Sequence, residues 1–277
     1  METALVTGSW GDVLASYGKI CKYLKENNKD SIDVVYFGLD LYICDFLNLQ
    51  PNINEVKQLL ISEPAVYFKY NHMAAHDFEQ FMQVTEMNEQ IPDLIPMNVN
   101  KSNLVENPTD CFREFSVTLL QVSNDLPDHY VLFQPYSIRS CNYAEHWKYW
   151  MEALDYVLET SSIKVVLVGE IRSKFDVEFT FPFKEHPNLI NLVGQTKSMM
   201  EVFNIAKNAD QIITTSNCLS MFSAINKIPA IVVCNGLIEE KAQYYFNWIN
   251  VGTNMVLDNK VSLEIFKQVY ENSLIQE

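Results

Sequence analysis

The chain has 277 residues, of which 48% are apolar, and a formal net charge of −15. That length fits one or two domains of ordinary size, and no apolar run reaches the roughly 18 residues of a membrane-spanning helix. A surface this acidic, with no basic run to override it, excludes nucleic acid and anionic membranes as partners. The six cysteines stand singly, with no Cys-x-x-Cys pair, so neither a disulfide framework nor a zinc site is indicated. The opening METALVTGSW lacks a basic n-region and an apolar h-region. A reduced, cytoplasmic setting is the expectation.

In chain order, Thr3 to Gly8 reads as an apolar strand that closes on glycine. Ser9-Trp10-Gly11-Asp12 reads as a tight turn, and Val13 to Glu26 is helical by period. Ile32 to Phe37 is the next strand, Asp40 to Leu47 a short helix, and Pro51 a breaker. Ile53 to Leu60 leads into a third strand or its approach, Ala65 to Tyr70 is a further strand, and Ala74 to Met87 is helical. This alternation predicts a parallel sheet. Residues 90–111, with three prolines and four asparagines, read as a long loop. Phe112 to Val122 reads as a helix crossing between domains, and Ser123 to Asp128 is turn chemistry. The expected domains are 1–126 and 127–277.

The second half opens with a strand, Tyr130 to Gln134, whose tip is Pro135-Tyr136-Ser137. Tyr143 to Leu158 reads as an aromatic-rich helix, Lys164 to Gly169 as a buried strand and Phe175 to Phe183 as a hairpin-like excursion. The stretch from Asn191 to Asn235 then follows a repeating plan. A Gly194-Gln195-Thr196 turn leads into a helix with Met200, Val202, Phe203 and Ile205 on its apolar face. A short strand, Ile212 to Thr215, ends at a polar turn, Ser216-Asn217, which starts a second helix. Pro229 closes that helix and opens the strand Ala230 to Cys234, and Glu239 to Ile249 and Ser262 to Leu274 read as closing helices. Two successive helix N-termini therefore face the edge of a parallel sheet where ligands bind. Their N–H groups and dipoles favour an anion there, most often a phosphate.

This stretch resembles the donor-binding half of the heptosyltransferase-type glycosyltransferases, family 9. The match covers Gly194-Gln195-Thr196, Glu201, the Ala209-Asp210 pair, the following strand and the helix end from Ala224 to Pro229. It extends to the beginning of the chain, where the family opens with a strand, a Gly-Asp pair and a Leu-Lys pair; here these are Gly11-Asp12 and Leu24-Lys25. The chain departs from the family at two places: Ser216 stands where the family has Asp, and Met221 where it has His.

The resemblance implies an α/β protein of GT-B fold, with two Rossmann-like domains whose parallel sheets face a central cleft. It implies an inverting, metal-independent transfer of a sugar from a nucleotide diphosphate sugar to a glycan hydroxyl, with no cofactor. Asp12 stands at the position of the family's proposed general base, which takes the acceptor proton as the nucleotide leaves from the opposite side of the sugar. From the residues alone, Asp12 reads as a helix N-cap. On the donor side the resemblance points to Ser137 and Arg139 for the phosphates and Glu170 for the ribose hydroxyls. It points to Gly194, Gln195 and Thr196 for the base, and to Ser216, Asn217, Cys218 and Ser220 at the second anion-facing helix. Met221, which has no hydrogen bond to offer a phosphate, reads as core.

Other chemistries fit less well. Ala4-Leu5-Val6-Thr7-Gly8 resembles the start of a short-chain dehydrogenase, but the glycine spacing fails and none of the fourteen tyrosines has Lys four residues later. No Asp-x-Asp occurs and the five histidines are dispersed, so no metal site is indicated. The pair His72 and His76 lacks a third ligand, and Trp147, Tyr149, Trp150 and Tyr156 read as core or interface. The alternative function is a catalytically reduced GT-B protein that binds a nucleotide sugar or a protein without turnover. A GT-B nucleotide-sugar epimerase would need more charged residues at the site than can be placed.

Overall fold

The computed structural model describes residues 2–38, 40–60, 78–85, 91, 93–97, 116–119, 125–136, 147–171, 185–234 and 254–274. The chain divides into two compact units, Met1–Leu120 and Gln121–Glu277, each with its own parallel sheet.

Unit 1 runs β1 (Thr3–Thr7), α1 (Trp10–Glu26), β2 (Ile32–Gly38), α2 (Leu41–Asn48), β3 (Ile53–Leu60), α3 (Phe78–Val84) and β4 (Leu94–Pro96). The sheet order is β3-β2-β1-β4, all parallel. All five residues of β1 are buried, as parallel strands are when both faces are covered. Helix α1 buries Val13, Leu14, Tyr17, Ile20 and Leu24 on one stripe. Helix α3 adds Phe81, which meets Phe37 of β2 edge-on at 5.4 Å.

Two expectations in this unit are corrected. Part of the stretch read as a loop is strand β4, paired with β1 from Thr3↔Leu94 to Leu5↔Pro96. Pro96 is tolerated there because the ladder to β1 runs through its neighbour, the Met97 N–H donating to the Leu5 carbonyl at 2.9 Å, so its missing N–H costs no bond to β1. Residues 116–119, read as part of a helix, are not helical. Gln50 holds this segment instead: its Nε2 donates to the Thr118 carbonyl at 3.0 Å, and the Thr118 N–H donates to its Oε1 at 3.0 Å. The strand read at Ala65 to Tyr70, the hairpin at Phe175 to Phe183, the helix at Glu239 to Ile249 and the pair His72 and His76 lie outside the described residues.

Unit 2 runs β5 (Tyr130–Gln134), α4 (Trp150–Thr160), β6 (Lys164–Leu167), β7 (Leu189–Asn191), α5 (Met199–Lys207), β8 (Gln211–Thr215), α6 (Cys218–Asn226), β9 (Ala230–Cys234), β10 (Asn254–Asp258) and α7 (Leu263–Leu274). The parallel sheet has the order β10-β9-β8-β5-β6-β7. Counted within the unit, this is the Rossmann order 3-2-1-4-5-6. Unit 1 repeats the first four places of the same plan. Strand order therefore reverses between β1 and β4 in one unit and between β5 and β8 in the other, and ligands bind at such reversals, beyond the strands' C-terminal ends. Strand β10 was not foreseen, and α4 begins at Trp150, with residues 147–149 forming a turn before it. Trp147 and Trp150 are buried, edge-to-face at 5.0 Å, with Tyr149 and Tyr156 packed against the same cluster. The two tryptophans are core, and the two tyrosines are partly buried against it.

Candidate functional site

In unit 1 the turn from β1 into α1 is fixed by close contacts. Gly8 has φ +101°, and a Cβ there would lie 2.6 Å from both Cβ and Oδ2 of Asp12. Only glycine permits that conformation and that approach. Ser9 occupies the N-cap of α1. Asp12, in the first turn, reaches back to it: Oδ2 accepts from the Ser9 N–H at 2.9 Å and from the Ser9 hydroxyl at 3.0 Å. The choice between cap and base thus takes a third form, in which Ser9 is the cap residue and one oxygen of Asp12 braces it. Among the described residues, Asp12 Oδ1 accepts no hydrogen bond. Neighbouring elements brace the same turn. The buried Tyr36 hydroxyl donates to the Gly8 carbonyl at 3.1 Å, and Trp10 Nε1 donates to Asp40 Oδ2 at 2.9 Å. Asp40 is the N-cap of α2 and accepts from the Tyr42 N–H at 3.1 Å.

In unit 2 the tips of β5 and β8 are joined by side chains. Gln134 Oε1 accepts from Thr214 Oγ at 3.2 Å and from Asn217 Nδ2 at 2.8 Å. Asn217 is the N-cap of α6; its Oδ1 accepts from the N–H groups of Leu219 (2.8 Å) and Ser220 (3.3 Å). Ser220 Oγ accepts from the Asn217 N–H at 3.1 Å, completing a reciprocal cap. Several backbone donors read as anion-facing are therefore engaged within the turn. Ser220 is fully buried and supports the helix start, whereas Ser216, Asn217 and Cys218 are half-buried. Ser216 also hydrogen-bonds the thiol of Cys234, whose ionisation burial pushes up to about 12. Behind the cap, Asn254 Nδ2 donates to the Ser220 carbonyl at 3.1 Å, and Ser223 Oγ donates to Asn254 Oδ1 at 3.1 Å. Met221 is in the core.

The neighbouring tips of β6 and β7 form a second cluster. Gly194, at φ +70°, donates its N–H to the Gly169 carbonyl at 2.8 Å. A Cβ at Gly194 would meet Ile171 Cδ1 at 2.8 Å. This brings the exposed Glu170 beside the Gly194-Gln195-Thr196 turn, where Gln195 Nε2 donates to the Asn191 carbonyl at 2.7 Å. Ser198 caps α5, and Glu201 accepts from the Lys197 N–H at 2.8 Å. Ser137 and Arg139 lie outside the described residues. Reading the sequence did not single out Thr214 or Asn254. Thr214 was hidden because it sits in an otherwise apolar strand, and Asn254 because its strand was not foreseen. Among the described residues no three His, Cys, Asp or Glu side chains come together as a metal would need, and no helix is long and apolar enough to cross a membrane.

No protein-family model matches the sequence, and no curated protein sequence matches it. Solved structures do. E. coli heptosyltransferase WaaC with ADP matches with a TM-score of 0.60 at 13% identity, over 98% of this chain and 99% of that one. E. coli ADP-heptose lps heptosyltransferase II matches with a TM-score of 0.61 at 12% identity, over 100% of this chain and 99% of that one. A putative UDP-N-acetylglucosamine 2-epimerase from Listeria monocytogenes matches with a TM-score of 0.55 at 10% identity, over 99% and 88%. At such identities the likeness is one of fold. The chain is a two-unit α/β protein with the GT-B fold of the heptosyltransferases.

Proposed function

We propose that this protein is an inverting glycosyltransferase that moves a sugar from a nucleoside diphosphate sugar to a carbohydrate hydroxyl. The observation that carries the reading is Asp12, a carboxylate at the strand-order reversal of unit 1 with one oxygen engaged in its own turn and the other, among the described residues, without a hydrogen bond. The full-length likeness to two heptosyltransferases supports the class, and the names of those proteins carry ADP and ADP-heptose.

In this reading the acceptor oxygen attacks the anomeric carbon as the bond from that carbon to the diphosphate oxygen breaks. The acceptor proton passes to Asp12, the nucleoside diphosphate leaves with the bonding electrons, and the configuration inverts. Unit 2 holds the donor. Glu170 accepts from the ribose hydroxyls, and Gly194, Gln195 and Thr196 lie against the base. Ser216, Asn217 and Cys218 meet the diphosphate at the positive end of α6, with Ser220 fixing that helix start. Ser137 and Arg139 add a hydroxyl and a cation to the phosphates. No metal is called on.

The test is Asp12→Asn, assayed with radiolabelled nucleotide sugars. The amide oxygen still accepts from Ser9, so the melting temperature and donor affinity should hold while transfer and donor hydrolysis fall by about 10²-fold or more. Near-normal turnover in this variant would remove Asp12 from the reaction. A second reading rests on Ser216 and Met221, which replace the family's Asp and His: a protein that binds the nucleotide sugar without turnover. Donor-induced thermal stabilisation of the unaltered protein, with neither hydrolysis nor transfer, would select that reading.

A further inference from the structure

The hydrogen bonds at the start of α1 run through a single peptide unit. The carbonyl of Gly8 and the N–H of Ser9 belong to one planar peptide, and each end of it is held. The Tyr36 hydroxyl donates to the Gly8 carbonyl at 3.1 Å, and the Ser9 N–H donates to Asp12 Oδ2 at 2.9 Å. The plane thus links the Tyr36 hydroxyl to the Asp12 carboxylate, with one hydrogen bond on each side. It needs such an anchor. Gly8 has no Cβ and sits at φ +101°, so its own torsions restrict the following peptide less than those of any other residue would.

Tyr36 is shaped for this reach. It lies on β2 opposite Val6 of β1 and is fully buried. Its ring passes over Gly38, two residues further along the same face, where a Cβ would overlap the Tyr36 hydroxyl oxygen and Cζ. Gly38 has no positive φ, so room for the ring, and not backbone conformation, accounts for a glycine in this strand. Resting on the reading of Asp12 as the base, we propose that Tyr36 is a positioning residue for the transfer. It acts through the Gly8–Ser9 peptide to keep Asp12 Oδ2 engaged, so that Oδ1 takes the acceptor proton from one fixed place. Donation into the Gly8 carbonyl also polarises the peptide and strengthens the Ser9 N–H as a donor.

The experiment uses the full chain, well below its melting temperature. Tyr36→Phe removes one oxygen and keeps the ring. It should lower kcat for transfer about three- to tenfold, the scale of one hydrogen bond, with donor Kd little changed. The Ser9 amide proton, followed by NMR, should exchange with solvent faster by a similar factor. Gly38→Ala, which crowds the ring instead, should lower kcat at least as much. Asp12→Asn separates positioning from general support. With the carboxylate gone, adding Tyr36→Phe should change the residual turnover by less than about twofold. Equal losses from Tyr36→Phe in the two backgrounds would make Tyr36 a structural residue only and overturn the inference. So would an unchanged kcat, an unchanged Ser9 exchange rate, or a folded Gly38→Ala protein with normal kcat. Near-normal turnover in Asp12→Asn, or none in the unaltered protein, would instead overturn the reading of Asp12 as the base, and this inference with it.

Discussion

Replacing Gly8 with alanine tests whether the β1–α1 turn holds Asp12 by geometry. At φ +101° an L-residue is strained, at a cost of about 1–3 kcal/mol. The new methyl would lie 2.6 Å from Asp12 Cβ. That atom is carried by the backbone of α1, so a side-chain rotation cannot clear it and the helix start must shift. A shift loosens the bonds from Ser9 to Asp12 Oδ2, worth about 0.5–1.5 kcal/mol for a typical hydrogen bond. The combined loss is roughly 2–4 kcal/mol, and the melting temperature should fall by roughly 6–15 °C in scanning calorimetry. If Asp12 is the base, as proposed, turnover should fall further than stability implies, because displacing such a carboxylate by about 1 Å costs on the order of 10²-fold. Measured well below the new melting temperature, a Gly8→Ala protein with transfer within about twofold of normal would refute the geometric argument.

At the donor end, Gly194→Val places a branched side chain against Ile171 at φ +70° and should sharply weaken nucleotide-sugar binding in calorimetric titration. Gln195→Ala, which loses one bond to the Asn191 carbonyl, should change it little; equal effects would remove the turn from the site. Stability should also fall with rising pH through the thiol range. Burial raises Cys234 from 9.0 to about 12 and Cys44 from 9.0 to about 11, so the folded state keeps protons that the unfolded chain releases. The contribution is intact below about pH 9 and is lost between 9 and 12. Urea midpoints should drop across that window, less steeply in Cys234→Ala, and identical slopes in the two proteins would exclude this cause.

The parallel sheets were legible because their strands are buried on both faces and read as continuous apolar runs, as in Val165 to Leu167 and Ile231 to Val233. The start of α6 was legible from the polar Ser216-Asn217 turn, since Asn caps helices by known chemistry, whereas Ser198, the cap of α5, was not singled out. Strand β4 was not, since three residues ending in proline carry no period; its identity comes from pairing with β1, a contact some ninety residues away in sequence. The contacts among the candidate residues were not legible. Nothing in the spacing of Gln134 and Asn217 says that they share a hydrogen bond, and nothing in Ser9 and Asp12 says which of them is the cap.

Placing the first strand in the interior of the sheet has a consequence for synthesis. β1 can pair with β2 early, but its other side waits for β4, with Thr3 opposite Leu94. At a translation rate of about 5–20 residues per second, that wait is of order 5–20 s. Throughout it, a strand whose residues are all buried in the finished protein offers an open hydrogen-bonding edge to other chains. Unit 2 repeats the arrangement, since Val131 of β5 meets Gln211 of β8 some eighty residues later. Both sheets thus complete their strand-order reversals late, so a nascent chain has its exposed edges well before these reversals form.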